Sequence, residues 1–547
     1  VKVGLDVRSL LPSRADYAEL RTSWRADVVA GITVGIVALP LALAFGVSSG
    51  VGAEAGLITA IIAGFVAAVF GGSHVQVSGP TGAMVVVLAP IVADHGVGSV
   101  MLVSVMAGVL LVVAGALKLG RTIGYIPWPV IEGFTVGIGV IIFLQQVPGA
   151  LGVSSKGHST SALVAAWQSV TESTSPTVWY SLGAVAAVVA IMWLLGRFAP
   201  KIPASFGAIV VVTLVTIWAD FPLATIGELP STLPAPHLPE IQSSSLPALF
   251  GPACAVAALA AIESLLSARV ASSMSTTGPY NADRELVGQG LASVVAGAFG
   301  GMPATGAIAR TAVNVRAGGR TRLAAVVHAA ALLVVVYAAS TVVSEIPLAA
   351  LAGVLMVTAS KMVSPSLIAL VMRSTRSDAL VFVVTAVITV TFDLIVAVGI
   401  GIAVAAFMAL RALSRASGVH REELRGDAVE GDQKIALYRI DGSLFFGAAE
   451  RVLERLAVTK GIEIVILRLS QLQLVDATGA RSLSELVTDL EKRGITVLIK
   501  GIRPEHMHVF EQLGLLSSLR HEKHLFTDLS AAIAHARDHV SRSSVAA

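Results

Sequence analysis

Twelve apolar runs of roughly twenty residues decide what this chain can become: 27–45, 53–70, 97–117, 129–147, 178–196, 204–219, 250–268, 284–300, 323–343, 346–362, 378–392 and 394–411. Coiled as helices, runs of that length match the ~30 Å hydrocarbon core of a bilayer. They do not alternate as the strands of a membrane barrel would. Only 13% of the residues are charged and 55% are hydrophobic, against about 25% charge in soluble proteins. The chain is therefore predicted to be an α-helical membrane protein. The first 26 residues are polar and mixed in charge, and no secretory signal is expected in them.

Two further segments are apolar but broken. "SGPTGAM" (78–84) and "PATGAI" (303–308) each place Pro, Thr and Gly ahead of an apolar stretch, and each follows an FGG, at 70–72 and 299–301. The half-helices they begin, near 81–92 and 304–315, are too short to cross a bilayer. With them the count is fourteen, seven in 27–219 and seven in 249–412, on either side of an outer loop at 220–248. An odd number of segments in each half turns the second half upside down, so the halves are inverted repeats.

Basic residues support the count. Arg14, Arg21, Arg25, Lys118, Arg121, Arg197, Lys201, Arg269, Arg284, Arg316, Arg320, Arg322, Lys361, Arg373, Arg376, Arg411 and Arg415 all fall on one side. The other side holds Asp94, Glu172, Asp220, Glu228, Glu240 and Glu345, with Lys156 as its one cation. The basic side is cytoplasmic by the positive-inside rule. Both termini are therefore expected in the cytoplasm, and the membrane concerned is the plasma, or inner, membrane.

Irregular backbone at membrane depth must lie against protein or a water-filled cavity. A helix that begins there offers unpaired N–H groups and the positive end of its dipole, which suits an anion. Arg310 is the one basic residue well inside a predicted segment. It is read as a fixed positive charge for the anion, or alternatively as a side chain snorkelling to the inner interface. Glu263, mid-segment with Ser267 one turn on, balances Arg310, carries a coupling H+ or Na+, or is a neutral structural carboxyl. Thr81 and Thr305 are the hydroxyls nearest the two half-helix starts. Glu132, His328 and Cys254 read as structural, His328 as a satisfied packing residue.

After a linker (413–431), the composition becomes that of a soluble domain over 432–540. "KIALYRI" (434–440), "IEIVILRL" (462–469) and "TVLIKGI" (496–502) read as strands. "GAAERVLERLAV" (447–458) and "GARSLSELVTDLEKRG" (479–494) read as helices, with Asp476 capping the latter. A small α/β domain follows, with fraying beyond about 537 and a tail at 541–547. No Walker loop, metal-spaced His/Cys cluster or dinucleotide fingerprint is found, so no enzyme, cofactor, structural metal or nucleic-acid partner is expected.

These motifs resemble the sulfate permease (SulP) family of anion transporters, which includes pendrin and prestin. The likeness runs through "ITVGIVALPLALAFGV" (32–47), "VQVSGPTGAMVVVL" (75–88), "AIESLLSA" (261–268), "GGMPATGAIARTAVNVRAGGRT" (300–321) and a carboxy-terminal domain like STAS, at "VDATGARSL" (475–483). The resemblance implies a core of segments 1–4 and 8–11 that moves like an elevator against a gate of segments 5–7 and 12–14. It places the anion at Phe45, Thr81, Thr305, Ala309 and Arg310 with the N–H groups of Gly82, Ala83 and Ala307. Glu263, Ser267 and Thr305 are then the coupling-ion residues, with Na+ or H+ near Glu263. A homodimer is implied as well. The expected function is coupled transport of sulfate, bicarbonate or a dicarboxylate. Anion exchange, a passive channel and a sensor acting through the STAS domain are the alternatives, and Arg310 disfavours a nucleobase substrate.

Overall fold

Helix follows wherever the apolar runs are long enough to satisfy their own backbone, and it stops where Pro and Gly interrupt them. The structure, a computed structural model, describes residues 10–17, 19–153, 161–173, 176–200, 202–229, 232–237, 245–392, 394–424, 427–446 and 461–545. The helix expected at 447–458 lies outside them. The chain divides into two units, Val1–Ile402 and Ala403–Ala547.

In the first half the elements are α1 (Leu20–Ser48), α2 (Ala53–Phe70), β1 (Ser78–Gly79), α3 (Gly82–His95), α4 (Gly98–Ala116), α5 (Trp128–Gln145), α6 (Val147–Ala150), α7 (Ala162–Glu172), α8 (Thr177–Phe198) and α9 (Ala204–Trp218). The second half has α10 (Ser245–Met274), α11 (Ala282–Ala298), β2 (Thr305–Gly306), α12 (Ile308–Arg316), α13 (Arg322–Ser344), α14 (Leu348–Met362), α15 (Pro365–Ser374), α16 (Arg376–Thr391) and α17 (Leu394–Ala416). Set aside α6, α7 and α15, which join fifth to sixth segments, and seven segments remain in each half. In both halves the third is a two-residue strand followed by a short helix. Nine helices among the described residues are long and apolar enough to cross a membrane by length and composition.

The halves interlock. The fourth segment of each, α4 or α13, packs along the first two of the other, α10 and α11 or α1 and α2. Small residues allow this approach: a Cβ on Gly108 of α4 would sit 2.5 Å from the Gly290 carbonyl oxygen of α11, and one on Gly290 would sit 2.5 Å from that of Gly108. Backbone meets backbone there, so neither partner can yield. Gly108→Leu is expected to destabilise by about 1–3 kcal/mol, seen as a lower melting temperature of the purified protein; unchanged melting would contradict this packing.

α1 begins at Leu20, ahead of the apolar run at 27, because its polar first turns have work at the start of α13. Buried Asp27 accepts the Arg320 and Thr321 N–H groups at 2.7 and 3.0 Å and the Thr321 hydroxyl at 2.6 Å.

The second unit carries a five-stranded sheet of β3 (Gly418–Glu422), β4 (Ile435–Leu444), β5 (Ile464–Val475), β6 (Thr496–Lys500) and β7 (Leu525–Phe526), in that spatial order. β3 is antiparallel to β4, and the other pairs are parallel. Alternation assigns the faces. Tyr438, Leu467 and Val497 share a core with Leu483 and Val487 of α18 (Ala477–Lys492) and Phe510 of α19 (Pro504–Gln512). Leu437, Ile466 and Leu498 face α20 (Leu529–Val545). Asp476 caps α18 as expected, accepting the Gly479 N–H at 2.7 Å. The expected fraying is corrected: α20 runs to Val545, because Leu529, Ala532, Ile533, Ala536 and Val540 form a buried stripe against the sheet.

Candidate functional site

The residues before each short helix are extended, and they pair. β1 and β2 run antiparallel, Ser78 opposite Gly306 and Gly79 opposite Thr305. Pro80 holds the preceding residue out of helix, and the pairing gives backbone in the middle of the unit the partners that lipid cannot supply. The ladder extends one bond further, from the Ala307 N–H to the Val77 carbonyl at 2.9 Å. This corrects the sequence expectation that the Ala307 amide is open to a ligand. The open amides of α12 begin at Ile308 and Ala309, and these two residues are exposed beside the buried Ala307 and Arg310.

α3 begins in the same crossing. Thr81 is its N-cap, yet its side chain makes no capping bond. The N–H groups of Gly82 and Ala83, in the first helical turn, therefore have no intrahelical acceptor. The Phe45 ring of α1 lies against this turn, with Cε1 3.4 Å from where a Gly82 Cβ would be. The Thr81 hydroxyl donates instead to Glu263 of α10, at 2.7 Å. Thr305 reaches the same carboxylate oxygen at 2.8 Å, and the two hydroxyls are 3.1 Å apart. Glu263 is thereby fixed where the two short helices diverge. The neighbouring Ser264 stitches α10 to both strands' surroundings: its hydroxyl accepts the Gly306 N–H at 3.0 Å and its carbonyl accepts Gln76 Nε2 at 3.3 Å.

Arg310, the third residue of α12, does not snorkel. It is 2% exposed, and its Nη2 donates to the Pro80 carbonyl at 2.8 Å. Nη1 is buried without a partner among the described residues. A Cβ on Gly79 would come within 2.5 Å of it. The guanidinium thus lies on the strand that leads into α3, within electrostatic reach of Glu263. Arg316, two turns on, is exposed.

Most of the expected residues converge: Phe45, Thr81, Gly82, Ala83, Glu263, Thr305, Ala309 and Arg310. Ser267 is not brought to the Glu263 carboxylate; its hydroxyl lies 3.3 Å from that of Thr311, which accepts the Val77 N–H at 3.1 Å. His328 is buried, but neither ring nitrogen has a hydrogen-bond partner among the described residues, so it is not the satisfied residue expected. Glu132 accepts the Trp128 indole N–H at 2.9 Å and plays a local role. Sequence reasoning missed Gln76, Ser264 and Thr311. The visible signal for Gln76 was a lone amide between valines in "VQV", ahead of the broken helix.

On the side rich in basic residues, a cavity of roughly 730 Å³ reaches Leu265 and Leu266, just past Glu263 on α10. Lys118, Arg121 and Arg269 line it, with Asp283 the carboxylate among its lining residues.

The sequence profile described as the sulfate permease family matches residues 24–385, and that of the STAS domain matches 428–532. The putative sulfate transporter YvdB of Bacillus subtilis is 35% identical over 512 residues, covering 92% of this chain and 96% of its own. The bicarbonate transporter BicA of Synechocystis is 31% identical over 531 residues, 93% of each chain. The solved transmembrane domain of a cyanobacterium bicarbonate transporter BicA is 34% identical and superposes with a TM-score of 0.64, covering 69% of this chain and 98% of that one. The murine Solute Carrier 26 family member A9 anion transporter shares the fold at a TM-score of 0.83, with 17% identity over 97% of this chain and 94% of that one.

Proposed function

The chain belongs to the sulfate permease family, and from that premise we propose that it moves a small inorganic or carboxylate anion by secondary active transport coupled to H+ or Na+. As a member of that family it is an anion transporter and not an enzyme. Sulfate and bicarbonate lead the candidates, since the relatives carry those names; a dicarboxylate is the third.

One observation carries the reading: two short helices start at the β1–β2 crossing, with a buried guanidinium behind the start of α3. Uncapped amides and a fixed positive charge attract an anion without specifying its shape. Thr81, Gly82, Ala83, Thr305, Ala309 and Arg310 contact the anion, and the Phe45 ring closes its apolar side. Ile308 takes the place expected for Ala307. Glu263 carries the coupling ion, held by the two threonine hydroxyls.

The elements that build this crossing, α1, α3, α10 and α12, all belong to one group of segments, α1–α4 with α10–α13. α5 and α14 belong to the other group, which supplies Ile142 against Gly82. A site built almost wholly within one group is carried intact when that group slides, which is the elevator mechanism. Bicarbonate, being planar, and sulfate, being tetrahedral, would both fit a pocket defined by dipole ends. The reading also takes in the plasma membrane, a homodimer, and an amino terminus and STAS domain in the cytoplasm; the side to which Lys and Arg are confined supports that orientation.

The test is uptake into proteoliposomes of labelled sulfate, bicarbonate and fumarate in parallel, with and without a sodium or pH gradient. Accumulation that depends on one gradient is expected for at least one anion. A large current without any co-ion gradient would replace the reading with a channel.

A further inference from the structure

The cavity of roughly 730 Å³ beside α10 holds charge that the transport site does not use. Lys118 and Arg121 reach it from the connection between α4 and α5, and Arg269 reaches it from the last turns of α10. Asp283, at the start of α11, is the carboxylate among the lining residues, and it is already engaged, accepting the Gly120 N–H at 3.0 Å. Arg121 and Arg269 are exposed, and their side chains make no ion pair or hydrogen bond among the described residues.

The local backbone brings these cations together. α4 ends at Ala116, and Lys118 follows with φ +60°, in the left-handed region that favours glycine. Its N–H donates to the Gly115 carbonyl at 3.0 Å, which turns the chain back at the helix end. The 3-10 turn Leu119–Tyr125 then docks on the start of α11, where a Cβ on Gly120 would come 2.7 Å from the Ala282 carbonyl carbon. At the other end of the turn, a Cβ on Gly124 would sit 3.6 Å from Arg269 Nη2. Arg269 therefore lies against the same turn that carries Arg121. Tyr125 and Trp128 are exposed beside it, and such side chains favour the boundary between lipid and water.

We propose that this cavity binds the phosphate group of an organic phosphate, held between Arg121 and Arg269 with Lys118 beside them. A guanidinium fork matches two phosphate oxygens at once. Pockets for cofactor- or drug-sized molecules measure about 300–1,000 Å³, so an anion the size of sulfate would fill only a small part of this one. Leu10, Leu265, Leu266 and Pro279 supply apolar wall for an organic portion. Two sources carry this chemistry: the headgroup of an acidic phospholipid, and a soluble glycerol or sugar phosphate. A phosphate shared by Arg121 and Arg269 ties the α4–α5 connection to α10. That connection joins the two groups of segments, so occupancy slows their sliding. The slowing rests on the elevator reading above; the binding does not.

Two assays of the full-length protein test the site. In phosphatidylcholine nanodiscs it is dialysed to equilibrium against labelled glycerol 3-phosphate. In detergent with added phosphatidylglycerol, retained lipid is read by native mass spectrometry. Saturable binding of one equivalent per chain is expected in at least one assay. Retention of phosphatidylglycerol, with or without glycerol 3-phosphate binding, assigns the headgroup; glycerol 3-phosphate alone assigns the soluble source. Arg121→Gln and Arg269→Gln, at exposed positions outside the transport site, should each weaken binding by about tenfold, the worth of one charge-assisted hydrogen bond. The double variant should not bind. Arg373→Gln, an exposed cation that does not line the cavity, should bind as wild type does. No saturable binding in either assay, equal binding by wild type and the double variant, or an equal loss in Arg373→Gln would overturn the site. At saturating ligand, anion uptake by wild type should fall severalfold while that of the double variant stays level. Binding without slower uptake would overturn the effect on sliding and leave the site in place.

Discussion

Arg310→Ala is expected to reduce anion uptake on the order of a hundredfold, to near the level of empty liposomes. The guanidinium is the fixed cation at the crossing, and it acts on the anion through space as well as through contact. For an anion roughly 6 Å away at an effective dielectric constant near 20, a unit positive charge contributes about 3 kcal/mol, or a factor of about a hundred. The dipole ends of the two short helices add ~0.3–2 kcal/mol each and remain in the variant. They do not replace it, because each is a partial charge spread over several amides rather than a full one.

Loss of the side chain also frees the Pro80 carbonyl, which accepts from Nη2, so some loss of stability accompanies the loss of function. Arg310→Lys separates the two effects. It keeps the charge but not the planar fork that reaches Pro80 while leaving Nη1 forward. Uptake by the lysine variant should lie between alanine and wild type, with gel filtration showing that both variants are folded. Uptake by Arg310→Ala at the wild-type rate would reject Arg310 as an anion-binding residue.

What the sequence made legible followed from strong and repeated signals. Apolar length fixed the segments, and the matched FGG, Pro and Thr-Gly-Ala pieces located both broken helices. Pairing of the pieces was not legible. β1 and β2 have two residues each, too few for any alternation, and their partners are more than 220 residues apart. That pairing decides which amides are free, which is why Ala307 was assigned to the ligand while its N–H is held by Val77. Helical periodicity put Ser267 on the face of Glu263, but it could not tell that α12 approaches closely enough for Thr311 to take the hydroxyl.

Glu263→Gln should abolish accumulation against a gradient while leaving downhill anion exchange measurable. Glutamine retains an oxygen that can accept from Thr81 and Thr305, so the crossing keeps its hydrogen bonds and its shape. What it lacks is the ability to bind and release a proton, and the charge that would hold a sodium ion. If the carboxylate carries the coupling ion, the variant can still place an anion beside Arg310, now with no neighbouring negative charge to offset the cation. Anion affinity should therefore rise or stay level as coupling is lost, the reverse of the pattern expected for Arg310→Ala. This opposition separates a coupling role from a structural one, because a carboxyl needed only for folding would lower binding and flux together. The two candidate ions divide on a further measurement. A proton needs one lone pair, whereas sodium draws on several oxygens, including both hydroxyls. Thr81→Val with Thr305→Val should weaken anion uptake in either case, but it should remove the sodium dependence of the uptake that remains and leave its pH dependence in place. Glu263→Gln with unchanged dependence on both pH and sodium would remove the carboxylate from the mechanism altogether.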